Sequence, residues 1–237
     1  MTPHRQLSMD KSAARMAAMF DDIAPYYDFL NHFLSLHIDK RWRKKLVRAV
    51  AQRQPAAVLD VATGTGDLAI ALRRQTRAAI TAVDISEGML AIAQRKATPP
   101  PAIHWLLSPA EALPFPGGAF DAVTVAFGVR NFENLTKGLQ EMHRVLQPGG
   151  FLAILEFASP VRFPVKQLYR LYFHTVLPLA GRLFSRHRTA YRYLPASVSR
   201  FPQRSGFLQL LQQAGFKNTR CQSLSCGIAM LYMGEKN

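Results

Sequence analysis

The sequence predicts a doubly wound, mostly parallel α/β sheet of seven strands, with helices ahead of it and a helical insertion before the last strands. Three observations predict it. Five short apolar runs alternate with helical periodicity between Ala57 and Glu156. Each run ends at a polar residue or a glycine, as buried parallel strands do when helices cover both faces. A glycine turn follows the first run, and Asp84 stands twenty residues after Gly64, a spacing suited to ligand capture at the carboxyl ends of strands.

Residues 1–54 read as a helical extension. Met16, Met19, Phe20 and Ile23 recur at helical spacing until Pro25, where the pattern is expected to break. Lys40 to Val50 pairs Trp42, Leu46 and Val47 with a basic face. Residues 55–237 then form the sheet domain. Its apolar runs are Ala57–Ala62, Ile80–Val83, Ile103–Leu107, Ala122–Val125 and Phe151–Leu155. Ser86 is a plausible N-cap for the helix carrying Met89, Leu90 and Ala93. Leu139, Met142 and Leu146 form a stripe that stops at Pro148-Gly149-Gly150, and Leu208, Leu211 and Ala214 form one that stops at Gly215. Phe216–Cys221 and Ile228–Tyr232 read as a closing hairpin. Residues 161–203, rich in aromatics and arginine, interrupt the alternation as an insertion.

The composition sets outer bounds. The chain has 237 residues, 49% of them hydrophobic, which excludes a disordered polymer. Cys221 and Cys226 make neither a disulfide scaffold nor a zinc spacing, so no metal is expected. No apolar run is long enough to span a membrane, and no secretory signal is expected at the start, so a cytoplasmic protein is expected. Thirty Lys and Arg stand against fifteen Asp and Glu, a net charge of +15. The excess is uneven. Seven basic residues lie between Lys40 and Arg53, and eleven lie between Phe157 and Gly234 without one acid. That asymmetry points to an anionic partner, either nucleic acid, a phospholipid surface or an acidic substrate.

The loop Asp60-Val61-Ala62-Thr63-Gly64-Thr65-Gly66-Asp67 is the sharpest local signal. Gly64 and Gly66 remove the Cβ atoms that would hold a ligand off the backbone. Asp84 can accept both hydroxyls of a ribose, so a nucleoside-containing cofactor is implied. Gly64, Gly66 and Ala69 satisfy the loose dinucleotide pattern too. Asp60 and Asp67 instead favour S-adenosylmethionine, because they suit an ammonium and a sulfonium and would repel a pyrophosphate. A Pro-Gly-Gly turn before the fifth strand fits a methyltransferase sheet. The fold expected is therefore that of class I S-adenosylmethionine-dependent methyltransferases.

Several stretches carry a resemblance. They are Met19-Phe20-Asp21-Asp22-Ile23-Ala24-Pro25-Tyr26-Tyr27-Asp28-Phe29-Leu30-Asn31, Asp84-Ile85-Ser86-Glu87-Gly88-Met89-Leu90, Ala110-Glu111-Ala112-Leu113-Pro114-Phe115 and Phe127-Gly128-Val129-Arg130-Asn131-Phe132. With Tyr191-Arg192-Tyr193-Leu194 and Gly227-Ile228-Ala229, the chain resembles the quinone-biosynthesis C-methyltransferases from about Phe20 onward. Those enzymes methylate demethylmenaquinone or a ubiquinone precursor. Leu194-Pro195-Ala196-Ser197-Val198 looks more like members acting on menaquinone alone. The resemblance implies a cofactor site of Asp60, Thr63, Gly64, Thr65, Gly66, Asp84, Ile85, Ser108, Pro109, Ala110 and Ala126. Pro109 departs from the family, which usually has Asp or Asn there to reach the adenine amino group. Adenine is then expected to be held by Ser108, by the Ala110 N–H or by apolar stacking.

The resemblance also implies catalytic roles for Arg130, Tyr27 and Asp67. Aromatic C-methylation needs a phenolate to push charge onto the ring carbon. Arg130 can stabilise that phenolate, Tyr27 can orient the ring or relay its proton, and Asp67 can assist through water. The alternatives are Arg130 paired with Glu133 or Glu156, and Tyr27 as a packing residue. The polyprenyl quinol needs an apolar groove. Tyr169, Tyr172, Phe173 and Leu177 are its expected lining, at an anionic inner-membrane surface to which the chain binds peripherally. A homodimer is compatible with the sequence. A nucleic-acid methyltransferase is the main rival, but the base-clamping motif expected after the fourth strand is replaced by Ala126-Phe127-Gly128-Val129-Arg130-Asn131. Nucleic acid is therefore not expected as a partner. A non-catalytic binding module is disfavoured by the intact loop with Asp84.

Overall fold

A computed structural model describes residues 12–35, 37–97, 103–172, 175, 193 and 196–237. Among them, seven strands form one sheet in the order β3-β2-β1-β4-β5-β7-β6. The strands are β1 (Ala57–Val61), β2 (Ala79–Asp84), β3 (Ile103–Leu107), β4 (Phe120–Ala126), β5 (Leu146–Phe157), β6 (Lys217–Leu224) and β7 (Ala229–Glu235). The first five run parallel, and β7 joins β5 antiparallel as one arm of the closing hairpin. Strand order reverses between β1 and β4, so a crevice opens at their carboxyl ends.

Alternation of side chains divides the core into two layers. Leu59, Val61, Val123, Val125, Leu152 and Ile154 face one layer, where α5 (Leu135–Val145) and α7 (Ser205–Gln213) pack through Leu139, Met142, Phe207 and Leu211. Val58, Ala122, Ala153 and Leu155 face the other, covered by α2 (Ile38–Ala51) and α3 (Asp67–Gln75). Trp42, Leu46, Val47 and Val50 of α2 are buried in that second layer. Each such side chain contributes roughly 1.5–3 kcal/mol. α2 therefore shares a core layer with the sheet.

α1 (Ala13–Leu34) runs straight through Pro25, where a break was expected. Tertiary contacts on both sides of the proline offset the missing backbone bond. Before it, the Asp21 carboxylate accepts from Ser86 Oγ and from the Gly88 N–H at the start of α4 (Glu87–Lys96). After it, Asp28 accepts from Thr65 Oγ1 and from Lys96 Nζ. Ile23 and Ala24 pack on Met89. The Ser86 N-cap is present, its hydroxyl accepting from the Met89 N–H at 3.0 Å. β5 begins earlier than its apolar run, at Leu146, and extends through Pro148-Gly149-Gly150, pairing with β4 and β7. Within the expected insertion, α6 (Val165–Leu171) is described. Phe173 and Leu177 lie outside the described residues.

Candidate functional site

The site is built where β1 and β4 end. Backbone φ turns positive at Ala62 (52°) and at Phe127 (61°), one residue beyond each strand. Residues with side chains rarely adopt this conformation, and such strain gathers at functional sites. The two turns touch: a Cβ on Gly128 would lie 2.6 Å from that of Ala62. Buried polar side chains concentrate at the same end of the sheet, among them Asp60, Thr63, Asp84, Ser86, Ser108, Thr124, Arg130 and Glu156.

Asp84 organises the glycine loop. Its Oδ2 accepts from the Gly64 N–H at 2.7 Å, and its Oδ1 from the Ser86 N–H at 3.0 Å. Burial pushes its pKa up to about 6 against the opposing pull of those backbone donors. Asp60, on β1, accepts from Thr63 Oγ1 at 2.6 Å and from Thr124 Oγ1 at 2.7 Å. Burial raises it to about 6 as well, opposed by those hydroxyls, with the Asp84 charge adding to the rise. Two buried carboxylates at the switch point, each raised, gain from any ligand that brings hydroxyl or ammonium donors.

Gly64, Asp84, Ile85, Ser108, Ala110 and Ala126 line one cavity together, beneath Met16, Phe20 and Tyr27 of α1. Phe127, Asn131 and Phe132 close its other side. A smaller adjoining pocket is lined by Asp60, Thr63, Thr65, Asp67 and Arg43, and shares Tyr27, Gly64 and Ala126 with the first. Tyr27 sits over the loop, its ring 3.7 Å from where a Gly64 Cβ would be. Ser108 Oγ donates to the carbonyls of Pro109 and Ala112, at 3.1 and 3.2 Å. Towards a ligand it is therefore an acceptor.

Three expected residues do not line either cavity. Gly66 is a packing glycine at the N-cap of α3, with φ 81°, where a Cβ would fall 2.8 Å from Trp105 and 2.9 Å from Ala93. Pro109 follows β3 outside both linings. Arg130 lies in the short 3-10 turn Val129–Asn131 and is buried. Its Nη1 donates to Glu156 Oε1 at 2.7 Å and to the Phe127 carbonyl. Burial is the largest influence and disfavours its charge, but the Glu156 carboxylate together with the Tyr27 and Tyr193 phenols raises its pKa on balance. Of the two partners weighed for Arg130, Glu156 is the one it takes. Tyr27 and Tyr193 lie within its electrostatic reach.

Asp67 is gripped from two sides, by Lys96 Nζ and by Arg43 Nη1 at 3.3 Å. Together with Asp28 and Thr65 these residues tie α1, α2 and α4 to the glycine loop. Arg43, Asn131 and Tyr193 carry parts of the site that sequence reasoning did not assign. Tyr193 donates to Asn131 Oδ1 at 3.0 Å, beside the cavity wall. Arg43 was one cation in a basic helical face, and nothing in its spacing separated it from Lys40 or Lys44.

The residues present fit an adenosyl sulfonium. Asp84 lines the main cavity with apolar Ile85, Met89 and Phe132, and Asp60 and Asp67 line the adjoining pocket, so the set offers acceptors for hydroxyl and cationic groups beside apolar surface. Comparison with known proteins agrees. The model of the ubiE/COQ5 methyltransferase family matches residues 8–236. The chain is 46% identical over 233 residues to the ubiquinone/menaquinone biosynthesis C-methyltransferase UbiE of Geobacter sulfurreducens, covering 96% of this chain and 91% of that one. It is 46% identical over 220 residues to the demethylmenaquinone methyltransferase of Thermus thermophilus, covering 92% and 100%. A solved S-adenosylmethionine-dependent methyltransferase of Thermotoga maritima, described as a possible histamine N-methyltransferase, shares the fold. Its TM-score is 0.63 at 18% identity, over 94% of this chain and all of that one.

Proposed function

The chain belongs to the ubiE/COQ5 methyltransferase family, and from that premise we propose that it methylates the quinol ring of demethylmenaquinol to give menaquinol. The ubiquinone precursor is the alternative acceptor. The single observation that carries the reading is the cavity at the switch point, bounded by Asp84 at the bottom of the loop and roofed by Phe20 and Tyr27.

When bound, S-adenosylmethionine supplies an electrophilic methyl group on sulfur. The protein's part is to position and to exclude water. Asp84 accepts the ribose hydroxyls while its other lone pairs keep Gly64 and Ser86 in place. Ser108 Oγ accepts from the adenine amino group in the role the family usually gives to Asp or Asn. The quinol ring enters between Tyr27 and Phe132. Tyr27 meets its hydroxyl, with Arg130 in electrostatic reach favouring the anionic form. Because Glu156 balances Arg130, the pair presents a dipole, and its pull is smaller than that of a free cation. Asp67, engaged by two cations, holds the N-terminal helices against the loop.

We also assign the chain to the surface of an anionic membrane, where a polyprenyl quinol resides. Among the described residues, no helix is long and apolar enough to cross a bilayer. Instead Phe163 is 80% exposed, with Val161, Leu168 and Leu171 about 60% exposed nearby on α6 and the turn before it. Arg162 and Lys166 flank them, inside a stretch free of acids. This differs from the expected lining: Tyr169 and Tyr172 are only partly exposed, and burial raises both phenols. An apolar edge among cations suits insertion at the headgroup boundary.

The test is direct. Purified protein is incubated with methyl-labelled S-adenosylmethionine and reduced demethylmenaquinone, with a ubiquinone precursor in parallel. Label in the extracted menaquinone supports the reading. Label only in the ubiquinone precursor moves the assignment to the alternative, and label in neither overturns it. Flotation with anionic vesicles at low salt tests the membrane assignment, and protein that stays at the bottom removes it.

A further inference from the structure

We infer that Arg43, on α2, is the clamp for the carboxylate of the methionyl end of S-adenosylmethionine, so that the N-terminal helices form part of the cofactor site. The inference rests on the methyl-donor reading above and adds a residue to it.

The amino-acid end of that molecule carries one ammonium and one carboxylate. The pocket beside the glycine loop offers Asp60 and Asp67 to the ammonium and sulfonium. A carboxylate entering between two acids needs a cation. Among the described residues lining that pocket, Arg43 is the one Lys or Arg. The main cavity has none in its lining, which instead includes Asp84, Glu111 and Glu133. Backbone donors of the loop are largely spent. Thr63 N–H donates to the Val83 carbonyl at 3.0 Å, Gly64 N–H to Asp84 at 2.7 Å, and Gly66 N–H to the Thr63 carbonyl at 3.1 Å.

Arg43 is also held for the task. Its side chain is 11% exposed. Nη1 pairs with Asp39, itself fixed by Ser35 Oγ at 2.6 Å, and with Asp67 at 3.3 Å. The guanidinium lies 5.6 Å from the centre of the Phe127 ring, which faces the main cavity. Both ion pairs make their nearest approach through Nη1, and the residue lines the pocket. A planar guanidinium carries more donors than these two pairs use, and its fixed fork suits carboxylate recognition, which a lysine ammonium would provide less directionally.

Calorimetry with two ligands tests it. S-adenosyl-L-homocysteine keeps the amino-acid end, and 5′-methylthioadenosine lacks it. Arg43→Gln is expected to weaken the first about 30-fold while changing the second less than about threefold. Arg43→Lys is expected to fall between. Retained binding of 5′-methylthioadenosine also shows that the variant is folded. If both affinities fall together, or if neither falls, Arg43 is not the clamp and the methyl-donor reading stands. If the unsubstituted protein binds neither ligand, the methyl-donor reading fails and the clamp with it.

Discussion

The two walls of the cofactor crevice are built by opposite means. The sheet wall is local and buried: Asp60 and Asp84 sit on adjacent strands and bind the loop that links those strands. The helical roof is distant in sequence and partly exposed. Asp28, Arg43, Asp67 and Lys96 come from four helices and meet as ion pairs. A buried polar wall resists deformation because each unpaired group there is costly. An ion-paired roof with part-exposed side chains can open and reclose at small cost.

The sheet wall should fail hardest when its deepest pair is split. Glu156 has no solvent exposure and accepts from Arg130 Nη1, the Arg130 N–H and the Phe157 N–H. Glu156→Ala is expected to cost about 3–5 kcal/mol in urea unfolding, because Arg130 is left buried without its counter-charge. A loss below about 1 kcal/mol would mean that Arg130 is free to leave the wall and reach substrate directly.

Asp84→Ala should follow. The variant loses the proposed ribose acceptor and leaves the Gly64 and Ser86 N–H groups without that carboxylate. An affinity loss of about 100-fold for S-adenosyl-L-homocysteine is expected by calorimetry. An unchanged affinity would show that the sheet wall only shapes the loop.

Acidity separates the walls more gently. Asp84 and Asp60 titrate near 6 in the unliganded fold, above their usual 3.8. A raised carboxylate favours the folded protein below about pH 4, and that contribution is lost as pH rises through 6. Ligand binding needs the ionised form and follows the opposite trend. Affinity should hold above pH 6 and fall below it by up to about tenfold per unit for each carboxylate that the ligand needs ionised. A flat profile between pH 7 and 5 would remove the two carboxylates from ligand contact.

How much of each wall the sequence revealed follows from the same difference. The sheet wall was legible because its signals are short in sequence. Gly64 and Asp84 lie one βα step apart, and Ser86 sits two residues on. The seven-strand sheet and the closing hairpin were legible for that reason as well. The roof was not. Pro25 reads as a helix breaker, and only Asp21 and Asp28, bonded to groups over thirty residues away, show why α1 continues. Arg43 hides among seven basic residues. Gly66 was legible as a glycine beside a ligand, but its contacts with Trp105, thirty-nine residues further on, and with Ala93, which also leave no room for a Cβ, were not. Arg130 had two candidate partners in sequence, and β5 decided for Glu156.

The smallest expected effect concerns the roof alone. Lys96 joins Asp28 of α1 to Asp67 of α3, with side chains roughly a quarter to a third exposed. Lys96→Met removes both ion pairs and keeps much of the aliphatic stem. Global stability should change by no more than about 1 kcal/mol, since part-exposed pairs are screened by water. Local opening should respond more: α1 amides should exchange several-fold faster, and amides of β1 and β2 should not. Saturating S-adenosyl-L-homocysteine should slow α1 again, because ligand bound beneath Phe20 and Tyr27 favours the closed roof. Exchange that rises equally in α1 and β1 would mean that the two walls unfold as one unit, and the contrast between them would be lost.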